Sequence, residues 1–406
     1  MQYDLIVVGG GAAGFFCALQ CAERNPTIKI LILEKSAQLL SKVKISGGGR
    51  CNVTHACFDP KEMTGFYPRG NKELLGPFHQ FLCGDMMGWL ADNGVTTKIE
   101  DDGRVFPVSN SSQSIIDCFL KLCKEKGIQI LTKQHVNALH PQENGWQIDT
   151  KQESFHTKQV MLATGSSPAV WNMMERLGYQ IISPVPSLFT FNIKHPLLSD
   201  LPGISVSQAT VKIIKTNFEA SGPLLITHWG VSGPAVLKLS AWAARELHTC
   251  NYHFEIAINW VDKTVDEVTA EIQRIRKNQG KKNVRNLPLF ELPKRLWQHI
   301  VALPIPNQTN YASLNNSQIQ ALLESLTACR MQVRGKSTFK DEFVTCGGIN
   351  TKNIHFKTME SKLHKGLYFA GEVTNIDAVT GGFNFQAAWT TAFLAAKGIC
   401  AQKNSI

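Results

Sequence analysis

The sequence predicts an α/β fold whose parallel-sheet domain is discontinuous, split by an inserted β-barrel that carries a small helical subdomain. Three observations predict it. The first 34 residues read strand, glycine-rich turn, helix, strand, which is the opening of a doubly wound sheet. From about residue 188 the pattern changes to short alternating or β-branched runs between Pro, Gly and Asn turns, the mark of antiparallel β. After about residue 341 buried-strand and helix patterning returns. The expected division is residues 1–190 for the first part of the α/β domain, 191–340 for the insert with its helices at about 264–329, and 341–406 for the second part.

The N-terminal unit is the most specific. Residues 5–8 are an apolar run long enough for one buried strand, and residues 12–24 form the helix after it. Gly9 permits the tight turn between them, Gly11 leaves the backbone open to a pyrophosphate, and Gly14 lets the helix sit close to the sheet. A second apolar run, 29–33, ends at Glu34, whose carboxylate suits a ribose 2′-hydroxyl and disfavours a 2′-phosphate. This combination implies a bound dinucleotide other than NADP. Helical patterning follows at 74–93 and 112–126, then a strand at 128–131 and a hairpin of 146–150 with 155–163.

In the insert, strands are expected at 189–193, 206–214, 224–227 and 252–258. Thr264 to Glu267 is a capping box, with Val265, Val268, Ile272 and Ile275 following at helical spacing. Further helices are expected at 292–302 and 317–329. The chain then returns to a buried strand at 366–372, ending on Gly371-Glu372, and to a helix that opens at Gly381-Gly382 and runs to about residue 400.

With 406 residues, 43% of them apolar and 18% charged, the chain has ample core for two or three domains. No apolar run reaches eighteen residues, so no membrane span is expected. The glycine motif begins at residue 4, which leaves no room for a leader, and a cytoplasmic location is expected. Eleven cysteines include no C-x-x-C; the spacings Cys17–Cys21 and Cys118–Cys123 suit one face of a helix. Twelve histidines form no H-x-x-x-H or H-E-x-x-H pair, so no metal is expected. The formal charge of +10 is concentrated in residues 274–285, a stretch readable as a solvated helix end or as a surface for nucleic acid or anionic lipid. No RNA-binding signature accompanies it.

Two further segments carry chemistry. Ser46-Gly47-Gly48-Gly49-Arg50-Cys51-Asn52-Val53-Thr54 removes every Cβ over three residues, so backbone there must approach something flat or phosphorylated. Arg50 adds a permanent cation and Asn52 and Thr54 add directional hydrogen bonds. The strand ending at Gly371-Glu372 resembles the second flavin motif of the glutathione-reductase-like superfamily. In that motif an acid bonds the ribityl chain, and the following helix N-terminus stabilises the negative charge of reduced flavin. Asp377 lies between and is expected to serve phosphate-side water or the ribityl hydroxyls. No second G-x-G-x-x-G is present, so FAD is expected as the retained redox centre, with NADH or NADPH left as a transient donor lacking a domain of its own.

The block 46–54, Gly103-Arg104-Val105-Phe106-Pro107, Thr227-His228-Trp229-Gly230-Val231-Ser232-Gly233-Pro234, and the stretch from Thr358 through Gln386 together resemble one bacterial FAD-dependent oxidoreductase family. It is the family of aminoacetone oxidase-like and bile-acid-reductase-like flavoproteins. The resemblance covers nearly the whole chain. It implies an FAD/NAD(P)-binding Rossmann-like domain with a β-barrel insert, and non-covalent FAD. The candidate cofactor set is Gly9, Gly11, Ala12, Ala13, Gly14, Glu34, Lys35, Lys42, Ser46, Gly47, Gly48, Gly49, Arg50, Cys51, Val136, Thr164, Gly165, Gly371, Glu372, Asp377, Gly382, Phe383, Asn384, Phe385 and Gln386. Departures from the family pattern fall at Gly165-Ser166, Thr54-His55, Thr374-Asn375 and Asp377-Ala378, where substrate or ring would lie.

The expected activity is hydride transfer to or from flavin on an unidentified small molecule. Arg50, Asn52 and Thr54 are expected to position the substrate or flavin edge. His228 is readable either as an acid or base or as a structural turn histidine. An RNA-associated flavoprotein using the basic insert, and a non-catalytic FAD protein, are the competing readings. The oligomeric state is open.

Overall fold

The computed structural model describes residues 2–337 and 344–401. The chain divides into two compact units, Met1–Val185 with Lys340–Ile406, and Pro186–Phe339. The first crossing, between Val185 and Pro186, falls a few residues before the change in sequence pattern and inside strand Ile181–Ser187, which pairs with Val344–Ile349. The expected return at 340/341 lies outside the described residues.

In the first unit, β1 (Gln2–Val8) leads through Gly9–Gly11 into α1 (Ala12–Arg24), and β2 (Ile30–Leu33) follows. β1 runs parallel to β2, with Val8 opposite Leu33, and parallel to Ser154–Leu162 on its other side, with Val8 opposite Leu162. The sheet continues outward through Gln129–Leu131 beyond β2 and through Leu367–Phe369 beyond Ser154–Leu162. Strands flanked on both sides need apolar residues on both faces, and Leu5, Ile6, Val7, Leu31 and Ile32 have no exposed surface. The C-terminal helix Phe383–Ala401 packs on α1 through Phe16 and Trp389, whose rings meet edge to face at 5.6 Å. The two segments separated by the insert thus share one core.

Three local differences have simple causes. The helix expected at 74–93 is two helices, Asn71–Phe78 and Cys83–Asp92. Pro77 removes a helical donor near the break, and the Asp85 carboxylate caps the new start by accepting from Leu82 N at 2.7 Å. The expected hairpin is a three-stranded meander, since Val136–Gln142 pairs with Gly145–Thr150. A small sheet of Thr54–His55, Arg104–Pro107 and Thr97–Ile99 was not expected; its strands are too short for a periodic signal.

The second unit contains a closed six-stranded antiparallel barrel. Its order is Thr190–Ile193, Gly230–Ser232, Glu219–Thr227, Ser205–Ile213, His253–Asn259 and Cys329–Ser337, which pairs back with the first. The helices Val265–Gln279, Lys294–Ala302 and Asn316–Thr327 share one apolar cluster with the barrel, including Ile272, Trp297, Leu322 and Trp260. The capping box forms as read: Thr264 N donates to Glu267 Oε2 at 2.7 Å and Glu267 N to Thr264 Oγ1 at 3.2 Å. Helix Pro234–Trp242 was missed, although Gly233-Pro234 places proline at the first helical position.

Candidate functional site

The site in the first unit is built at the carboxyl end of β1. At Gly11 the backbone is extended (φ −98°), and an added Cβ would meet nothing within 4 Å. At Gly14 an added Cβ would lie 2.0 Å from the Gly9 carbonyl oxygen. Open space where a phosphate must approach, and none where helix meets strand, is the division of labour the motif requires. The first amides of α1, from Ala12 onward, have no intrahelical partner by construction, and no acid lies in that first turn.

Glu34 stands at the end of β2 with both oxygens oriented. Oε2 accepts from Gly10 N and Oε1 from Ser36 N, each at 2.8 Å. A carboxylate has about four acceptor positions, so two remain for a ligand hydroxyl pair. Gln134 N donates to the Glu34 carbonyl at 2.9 Å, which brings the strand beginning at Val136 beside it. Lys35 is exposed.

The triple-glycine segment ends a kinked helix, Ser41–Gly49. Gly47, Gly48 and Gly49 all have positive φ (57°, 68° and 84°), and an added Cβ at Gly48 would again meet nothing. Ser46 Oγ donates to the Val43 carbonyl at 2.9 Å. Cys51 is buried with φ 61°, and burial pushes its thiol up to about 12, so it is no nucleophile at neutral pH. Arg50 is fixed from two directions: Nη1 donates to Glu100 Oε1 at 2.6 Å, and its guanidinium lies 3.9 Å from the Phe106 ring centroid.

Lys42 Nζ donates to Glu372 Oε2 at 2.5 Å, and Thr345 N donates to the other oxygen at 3.1 Å. Segment 163–165 passes behind the glycine turn: Ala163 N donates to Val8 O at 2.9 Å, and a Cβ on Gly165 would come 3.7 Å from Glu372 Oε2. Thr164 lies between these anchors. Gly371 N donates to Thr391 Oγ1 at 3.0 Å, tying this turn to the C-terminal helix.

Several expected ligand contacts are replaced by internal ones. Thr54 is fully buried, and its hydroxyl donates to Gln386 Oε1 at 2.6 Å; Gln386 Nε2 donates onward to Thr390 at 3.0 Å. With its amide oriented to pair both ends, Asn52 donates to Thr54 O at 2.9 Å and accepts from Gly382 N at 3.0 Å. These side chains clasp the glycine loop to the start of the C-terminal helix instead of facing a substrate. Asp377 is fully buried and paired with Arg69, Nε to Oδ1 at 2.6 Å and Nη2 to Oδ2, so the carboxylate expected to serve phosphate-side water or ribityl hydroxyls is held inside the protein by a guanidinium. Asn384 closes the 378–384 turn by bonding both backbone groups of Ala378. Phe383 stacks against both Phe66 and His55, with centroids at 4.1 and 4.5 Å, in a three-ring cluster whose other two rings lie 5.7 Å apart, and Phe385 stacks on Trp389. Glu100 and Arg69 escaped the sequence reading, and Phe106 entered it only within the 103–107 element without a role, because nothing in their spacing marks a partner 50 or 300 residues away.

His228 belongs to the second unit. It occupies the exposed two-residue turn between Thr227 and Gly230, which pair across the hairpin. Among the described residues no helix is long and apolar enough to cross a membrane, and no cluster of three His, Cys, Asp or Glu side chains could hold a metal.

The open backbone at Gly11 and Gly48, the helix start at Ala12, and the Glu34 carboxylate fit a dinucleotide. Fold and site define a flavin-dependent oxidoreductase with an FAD-binding Rossmann-type domain. The chain belongs to the HI0933-like family: the family model described as HI0933-like protein Rossmann domain matches residues 3–398. It is similar to the ribosomal RNA dihydrouridine synthase of Escherichia coli (strain K12), 29% identical over 417 residues and covering both chains completely. It is 24% identical over 410 residues to the 3-dehydro-bile acid delta(4,6)-reductase of Clostridium scindens, covering 96% of this chain and 97% of that one. Among solved structures, the 3-ketosteroid-delta4-(5alpha)-dehydrogenase of Rhodococcus jostii RHA1 shares the fold. The TM-score is 0.53 at 12% identity, over 98% of this chain and 97% of that one.

Proposed function

We propose that this chain reduces the C5–C6 double bond of uridine in RNA, using FAD and a transient NADH or NADPH donor in the cytoplasm. The observation that carries the reading is the end-to-end similarity to a ribosomal RNA dihydrouridine synthase. Dihydrouridine is uridine with one hydride and one proton added across C5–C6, a bond conjugated with the C4 carbonyl. Saturation of a double bond in the bile-acid reductase's ring system is chemistry of the same kind. When bound, FAD supplies the two-electron hydride chemistry such a reduction needs.

The chain's own residues then divide the work. Gly11 and the α1 amides take the pyrophosphate, Gly9 and Gly14 shape the turn and the close helix–strand approach that present them, and Glu34 takes the adenosine ribose. The glycine loop 47–49 and the Gly382 helix start approach the flavin, with Asn52, Thr54 and Gln386 holding those two segments together. Arg50, steadied by Glu100 and Phe106, is the cation beside the loop and holds a carbonyl of the substrate base.

The test is incubation of holoenzyme and NADPH or NADH with in vitro transcribed ribosomal RNA, followed by nuclease digestion and mass spectrometry. A uridine gaining two hydrogens supports the reading. RNA left unchanged, while a conjugated steroid ketone is reduced, would replace RNA by a small-molecule enone as substrate.

A further inference from the structure

The second unit carries a preformed polar surface that the flavin site does not use. Residues 274–285 contain Arg274, Arg276, Lys277, Lys281, Lys282 and Arg285 and no acid. Arg274 is spent on Glu271, with two bonds of 2.7 Å, while Lys277, Lys281 and Lys282 are exposed. The segment after the helix is anchored. Ala312 N donates to Gly280 O at 2.9 Å, Tyr311 N to Lys282 O at 3.1 Å and Val284 N to Thr309 O at 3.0 Å. Behind it, the buried Trp297 indole donates to Val284 O at 2.7 Å. A merely solvated lysine loop needs none of these ties.

Directly beyond the two lysines the same segment walls an open hollow of about 350 Å³. Its lining is Asn283, Arg285, Asn286, Gln298, Asn307 and Gln308, five carboxamides and one guanidinium. Arg285 is held in place by Nη1 donating to Asn307 Oδ1. Asn283 Oδ1 accepts from Arg285 N at 2.9 Å and Asn307 Oδ1 from the Arg285 guanidinium, so those two help fix the wall, while Asn286, Gln298 and Gln308 present donor and acceptor together, the pairing that reads a base edge. Unpaired RNA offers splayed bases beside phosphates, and sequence-dependent RNA recognition concentrates there. An anionic lipid surface would use the lysines but has no use for an amide-lined hollow with no apolar side chain in its lining.

We propose that this hollow receives an unpaired nucleotide of RNA, with Lys277, Lys281 and Lys282 on the flanking phosphates. The inference rests on the RNA reading of the activity and names the surface that would hold that substrate. Each phosphate contact in a single strand contributes about 0.7 to the slope of log affinity against log salt. A Lys281→Glu/Lys282→Glu protein should therefore bind an in vitro transcribed ribosomal RNA fragment at least ~10-fold more weakly at low salt, with a slope shallower by about 1.4. An Asn286→Ala/Gln298→Ala protein should keep the slope and lose preference for looped RNA over a fully paired duplex.

Both variants are checked for unchanged FAD content and unchanged flavin reduction by the working nicotinamide. The inference is overturned if both bind RNA as the parent does, or if the parent binds phosphatidylglycerol vesicles and not RNA. A parent that converts uridine while both variants bind normally refutes this surface and leaves the activity standing. A parent whose RNA binding needs these residues, yet forms no dihydrouridine, supports the surface and refutes the activity.

Discussion

Replacing Gly11 by valine separates cofactor geometry from folding. The backbone at Gly11 is extended (φ −98°, ψ −170°), so a β-branched residue is not strained there, and an added Cβ meets nothing within 4 Å. Loss of glycine at a helix N-cap costs a few tenths to about 1 kcal/mol, and the lower entropy of the unfolded valine chain returns about 0.4–1 kcal/mol. The two nearly cancel, so the apoprotein should melt within about 3 °C of the parent. The isopropyl group nevertheless fills the space through which a pyrophosphate reaches the α1 amides. We expect FAD affinity to fall at least 100-fold, or about 2.8 kcal/mol at 1.4 kcal/mol per decade. Gly14→Val is the control: its Cβ would sit 2.0 Å from Gly9 O, so the helix must move and the apoprotein itself should lose ~3 kcal/mol or more. The assay is flavin fluorescence titration beside thermal melting. A G11V protein with parental FAD affinity, or one that fails to fold, refutes the phosphate placement.

Other outcomes follow from the same geometry. Asp377→Asn breaks the buried pair with Arg69 and should cost roughly 3–5 kcal/mol in urea unfolding; a change below about 1 kcal/mol would contradict the buried ion pair. Thr54→Val removes the hydroxyl that donates to Gln386 and should weaken FAD binding more than it lowers stability, read by titration and melting on one sample. Desolvation holds the His364 and His195 imidazoles below their usual value of 6.5, so the unfolded chain binds more protons below that pH. Their contribution to stability is therefore present above pH 6.5 and lost as pH falls below it; His364→Gln should flatten that part of a stability–pH curve. Exposed Cys250 should react with a thiol reagent at pH 8 in the folded protein, while Cys51, pushed up to about 12, should not.

How much of this was legible depended on whether the signal was local. The β1–α1–β2 unit, Glu34 and the capping box at Thr264 are written within short windows, and each formed at its expected place. The barrel was legible as alternation, but its last strand, Cys329–Ser337, was not among the expected strands: the helix before it was expected to run to Cys329, and residues 330–337 received no element. What the sequence hid was pairing over distance. Asn52 and Thr54 look like ligand-facing polar residues beside glycines, and only the fold brings Gly382 and Gln386 against them. Asp377 looks like a free carboxylate until Arg69, 308 residues earlier, is placed beside it.

The most direct test of the central claim is anaerobic mixing of the fully reduced holoenzyme with ribosomal RNA, following the visible flavin band while the RNA is quenched for dihydrouridine. The account predicts that flavin absorbance returns at the rate dihydrouridine appears, one per flavin, and that RNA already saturated at the target uridine gives neither signal. Flavin that stays reduced in the presence of RNA, yet reoxidises with a small conjugated ketone, would contradict it.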